Sequence, residues 1–112
     1  TVLNPGEAAW ISVGEESCYG NASVQLGRTS FSLNNGGDSL SLFHDDMDGQ
    51  RIQFDQLTYT GDWVETGVAI QLSADKLTPT DNDDLNNWCL ATTTIGATTD
   101  LGSPGESNAV CE

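Results

Sequence analysis

Positive charge is the scarcest resource in this chain. Arg28, Arg51 and Lys76 are its only Lys or Arg residues, against 17 Asp and Glu, for a formal net charge of −14. A surface of that sign repels nucleic-acid phosphate and an anionic membrane face, which sets both partners aside. The acidity serves solubility first, although carboxylate-rich turns also collect divalent cations. Long apolar runs are missing too, and none approaches the roughly 20 residues that a transmembrane helix needs. Histidine occurs once, as His44, which leaves acid–base chemistry near neutral pH with a single natural player. Cysteine is limited to Cys18, Cys89 and Cys111, with no CxxC pair and no histidine nearby. That pattern suits a disulfide in an oxidising compartment better than a metal site. Three is an odd number, so one disulfide leaves one thiol, free or bonded outside the chain. Thr1 stands where an initiator Met would be, and the expectation is a processed product or a fragment.

What is present is alternation. At 112 residues the chain is long enough for one domain, residues 1–112, with a modest core. Three Trp, three Phe and two Tyr lie among β-branched residues in patterns able to bury a face, which argues against disorder. The central stretch, residues 31–59, reads as strand, turn, strand, turn, strand. Phe31 and Leu33 alternate with Ser30, Ser32 and Asn34; Leu40 and Leu42 alternate with Ser39 and Ser41. This period of two marks half-buried strands. Asn34-Asn35-Gly36-Gly37 and Asp48-Gly49 are turn chemistry, since Asn, Asp and Gly tolerate positive φ. Ile52 and Phe54 share one phase and Leu57 and Tyr59 the other. A bulge near Asp55 and Gln56 brings all four to one face. The expectation is a β-meander with one apolar face around which the chain is built.

Elsewhere, Asn4-Pro5-Gly6 predicts a turn, followed by a strand over residues 8–13 with apolar residues on both faces. An acidic loop over residues 14–20 carries Cys18, and Asn21-Ala22-Ser23 matches the N-glycosylation pattern as a chance triplet. A short strand over residues 23–27 surrounds Val24 and Leu26. Trp63 follows the Thr60-Gly61-Asp62 turn, where it can close one end of the core. Residues 68–72 form the last expected strand, with Val68, Ile70 and Leu72 in register. Residues 1–72 are thus the strand-rich part and residues 73–112 a loop-rich tail, with one helical turn over residues 73–77 capped by Ser73. So long a tail needs pins. Trp88 and Cys89 fit that role, with a disulfide from Cys89 to Cys111 leaving Cys18 unpaired or bonded to another chain.

An ordered series of short words resembles the bacterial lamin tail domains. LNPGEAAWISVG (residues 3–14) is similar to the family's Pro-Gly-then-strand element. FSLNNGGDSLSLF (residues 31–43) is similar to its Gly-Gly-Asp turn and following strand. IQFDQLTY (residues 52–59), VAIQLS (residues 68–73), DNDDLNNWCLATT (residues 81–93) and LGSPGESNAVC (residues 101–111) resemble its later strands and endings. The resemblance implies an all-β, immunoglobulin-like sandwich of secreted or surface-exposed bacterial proteins. The acidic-aromatic and Leu-Ser-Gly-Trp strands that usually come first are missing. The implied sandwich is therefore incomplete, with a neighbouring subunit or another chain, or an upstream segment, supplying strands; a reduced topology that suffices alone is the third alternative.

No catalytic signature accompanies this pattern. His44 sits in an acidic hairpin without a nucleophile elbow, and no P-loop or dinucleotide fingerprint occurs. The many carboxylates pair by abundance alone. The chemistry most worth testing is calcium, which takes six to eight oxygens from carboxylates, amides, backbone and water. Asp45, Asp46 and Asp48 share one turn, and Asp81, Asp83 and Asp84 share another with Asn82; neither has EF-hand spacing. Trp10, Trp63 and Trp88 are read as core residues rather than a carbohydrate platform. The functional expectation is a non-enzymatic extracellular module acting through protein–protein contacts, in a bacterial surface, fibre or secreted assembly. Its alternative is a glycan- or calcium-dependent accessory module of a secreted hydrolase or nuclease.

Overall fold

A computed structural model describes residues 4–7, 9–12, 25–28 and 32–112. They contain six strands and no α-helix: β1 (Trp10–Ser12), β2 (Gln25–Arg28), β3 (Gly37–Asp45), β4 (Arg51–Thr60), β5 (Ile70–Leu72) and β6 (Trp88–Leu90). These form three two-stranded sheets, β1–β2 parallel, β3–β4 antiparallel and β5–β6 antiparallel. The regular structure of the described residues is β-strand with short 3-10 turns, consistent with the all-β fold that the alternation implies. Cys18, the acidic loop and the Asn21 triplet lie outside the described residues.

The β3–β4 hairpin is the longest regular element, and turn chemistry sets its ends. Asp46 closes the tip: its N–H donates to the Gln50 carbonyl at 2.8 Å, and its Oδ1 accepts from the Asp48 and Gln50 N–H groups at 2.9 and 2.8 Å. Gly49 takes φ 77° inside this turn, the left-handed conformation that glycine enters without steric cost. At the other end the Gly37 N–H donates to the Asn34 carbonyl at 3.1 Å, and the Tyr59 hydroxyl donates to the same carbonyl at 2.8 Å. Desolvation, then the Asp38 carboxylate, raises the pKa of Tyr59. Gly37 has φ 123°, and a Cβ there would stand 2.9 Å from the Tyr59 carbonyl oxygen.

The bulge is present, one residue earlier than expected. Leu42 pairs with Asp55 and Phe43 with Gln53, so Phe54 is the extra residue. Directly opposed residues share a face, which places Leu40, Leu42 and His44 with Leu57, Asp55 and Ile52. Phe54 joins that face, its ring 5.8 Å from His44. Ile52, Phe54, Leu57 and Tyr59 are thus brought into phase by one inserted residue. The expected third strand of the meander is corrected: residues 32–34 are not strand, and Phe31 is outside the described residues. Leu33 leads into the turn instead of pairing.

The larger correction concerns the tail. The side chains that are buried among the described residues are Gln71, Ser73 and Ala91, all beyond the hairpin. Residues 73–112 are not merely loop, because Trp88–Leu90 forms β6 against β5. The Ala91 N–H donates to the Ala69 carbonyl at 2.8 Å, while the Ala69 N–H donates to the Leu101 carbonyl at 2.8 Å. Residues 67–72 are thereby held on both sides. The Asn108 amide donates to the Leu72 carbonyl at 2.8 Å, and the Cys111 N–H to Ser73 Oγ at 2.8 Å. Cys89 and Cys111 form a disulfide, the pairing expected of the tail's pin. The expected helical turn at residues 73–77 is instead a hydrogen-bonded turn, Lys76 N–H to the Ser73 carbonyl at 2.9 Å. Ser73 is occupied elsewhere: its Oγ donates to Asp75 at 2.6 Å and its N–H to the Asn87 carbonyl at 2.9 Å.

Candidate functional site

Three of the six candidate calcium ligands, Asp46, Asp81 and Asp84, accept hydrogen bonds within their own turns. Asp46 builds the hairpin tip. Asp45 lies 3.6 Å from Arg51 as an exposed ion pair, a geometry worth little in water. Asp81 accepts from the Thr78 hydroxyl at 2.7 Å, and Asp84 accepts from the Asn86 N–H at 3.0 Å. These are turn caps, the ordinary use of Asp beside a free N–H. Asp48 stands at the tip, and Asp83 beside Gln56 and Thr58 on β4. Among the described residues, no three His, Cys, Asp or Glu side chains assemble as a group able to hold a metal ion.

The tryptophans divide differently. Trp63 and Trp88 pack on each other, ring centroids 5.4 Å apart and tilted by 35°. Such a pair is a packing contact worth roughly 0.5–1.5 kcal/mol beyond its buried area. It joins the short 3-10 turn Gly61–Trp63 at the end of β4 to the start of β6. The Trp88 indole N–H also donates to the Asn82 carbonyl at 2.8 Å. A flat two-ring carbohydrate platform is not the geometry adopted by this pair.

An open cleft of about 840 Å³ lies over the apolar face of the hairpin. Leu40, Leu42, Phe54 and Leu57 form its floor, with Ile11 and Trp88 among its walls. These side chains are not sealed: Phe54 is 54% exposed, Leu42 45% and Ile11 46%. Among the described residues, Asp55 is the one charged member of the lining. Its carboxylate accepts from the Asn82 amide at 2.7 Å and the Gln56 N–H at 2.9 Å, which fixes it at the wall. Asn82 Oδ1, on the same wall, is buried and has no hydrogen-bond partner among the described residues. The meander pattern pointed to the apolar face; its exposure depends on what packs across it, which local periodicity does not report.

Compared with protein-family models, with curated proteins and with solved structures, the chain matches none. No helix among the described residues is long and apolar enough to cross a membrane.

Proposed function

We propose that this protein is a non-enzymatic extracellular module that works through protein–protein contacts, within a bacterial surface, fibre or secreted assembly of the kind the lamin-tail resemblance implies. The observation that carries this reading is the exposed apolar face of β3–β4. Scattered exposed leucines are normal on soluble proteins, whereas a contiguous apolar cleft with polar surroundings is characteristic of an interaction surface. The hairpin adds a second incentive: among the described residues it is a sheet of two strands, so the outer edge of β3 has no strand partner. Unpaired edges accept strands from other chains. The Cys89–Cys111 disulfide fits an oxidising, extracellular setting.

The test is size-exclusion light scattering and intact mass, with and without reductant, on natively isolated material. An assembly, or release of a second polypeptide, is the expected result. A monomer that gains no partner at any concentration, and binds no apolar probe dye, overturns the proposal.

A further inference from the structure

We infer that the cleft takes an extended segment of a different protein, with aliphatic residues alternating along it and a Lys or Arg that meets Asp55, and not a second copy of this chain. The inference rests on the reading above that this face is an interaction surface, and it adds the chemistry of the occupant. Shape and lining call for the first property. The floor is a pair of antiparallel strands whose inward side chains recur every second residue, Leu40 and Leu42 on β3 facing Leu57 and Asp55 on β4. A partner strand laid over it matches that period, as in sheets that pack face to face.

Charge calls for the second. Any segment that covers the cleft strips water from the Asp55 carboxylate, and an unpaired carboxylate in an apolar setting is costly. A cation from the partner offsets that cost, whereas a neutral segment leaves it in full and an acidic one increases it. The Asp55 side chain is already positioned by Asn82 and Gln56, so little further ordering is needed. A second copy brings the wrong sign, since the chain carries only three cations against 17 carboxylates. Long-range repulsion between two such surfaces slows encounter and disfavours self-pairing. The single carboxylate thus acts as a selector as well as a contact.

The test uses the full chain and three synthetic peptides of the same length as β3. The parent alternates valine and threonine, beginning and ending with valine; the other two carry lysine or glutamate in place of the central valine, on the side that meets the cleft. Binding is followed by fluorescence anisotropy at two salt concentrations, for wild type, Asp55→Asn and Leu42→Thr. The expected order for wild type is lysine peptide, then parent, then glutamate peptide. Asp55→Asn should weaken the lysine peptide by about two- to fivefold, the value of a partly exposed ion pair, and strengthen the parent. Leu42→Thr, on an exposed strand position, should weaken all three. Equal binding of all three peptides to wild type, again weakened by Leu42→Thr, overturns the charge selection and leaves the apolar interaction surface standing. Binding of none, with no uptake of an apolar dye, overturns the interaction surface itself. Concentration-dependent dimers that displace the lysine peptide overturn the choice of a different protein over a second copy.

Discussion

Removing the disulfide by Cys89→Ser with Cys111→Ser isolates what pins the C-terminal part of the chain. The bond closes a sequence separation of 22 residues. On the chain-entropy account such a loop stabilises by about 3 kcal/mol. That is a large share of the roughly 5–15 kcal/mol typical of a whole domain. With a urea dependence of about 1–3 kcal/mol per molar, the unfolding midpoint should fall by about 1–3 M. Substitution is preferable to reductant, because reductant also acts on any bond made by Cys18. The loss should be local as well as global. Hydrogen exchange should quicken first at the Cys111 amide, which donates to Ser73 Oγ at 2.8 Å. The Asp46 amide, in the hairpin tip and bonded to Gln50, should be protected as before in the folded state. An unchanged midpoint would mean that the hydrogen bonds from residues 101–111 to β5 and its flanks hold the tail unaided. It would refute the assignment of the disulfide as the principal pin.

Three further outcomes are expected. Gly37→Ala should destabilise by about 1–3 kcal/mol in thermal unfolding, because φ 123° strains any side chain and its Cβ would meet the Tyr59 carbonyl at 2.9 Å; an unaltered melting temperature would exclude this turn geometry. Trp88→Phe keeps an aromatic against Trp63 but loses the indole donation to the Asn82 carbonyl, a cost of about 1 kcal/mol, measurable by urea denaturation. Ser73→Ala should raise the pKa of Asp75, whose carboxyl is held below its ordinary value chiefly by the Ser73 hydroxyl. That stabilisation is complete at neutral pH and is lost as the pH falls through the folded-state value. The variant's deficit should therefore be largest at neutral pH and shrink in acid; carbon-detected NMR titration of Asp75, unchanged by the substitution, would refute the link.

Legibility in the sequence followed the range of the interactions. The turn at Pro5-Gly6, with its Glu7 N–H bonded to the Asn4 carbonyl at 3.0 Å, depends on neighbours in the chain and was readable. So were the turns at Gly37 and Gly49 and the phase problem at Ile52 and Leu57, whose resolution by a bulge the structure displaces only to Phe54. By contrast, β6 is three residues long, too short to show a period, and it exists because β5 pairs with it. Proximity in sequence does not by itself assemble a set of ligands. Asp81 and Asp84 are close in sequence, yet each is occupied by its own local cap.

Sequence alone therefore determined the β character of the described residues and the hairpin with its turns and apolar phase, whereas three cysteines left three pairings open and the structure decides for Cys89–Cys111. The β character and the hairpin follow from steric and periodic rules that act over a few residues. Tertiary structure alone decided that the buried side chains gather at Gln71, Ser73 and Ala91 while Leu42 and Phe54 face an open cleft. Burial is a property of what lies across from a residue, and that is settled by pairings distant in the chain.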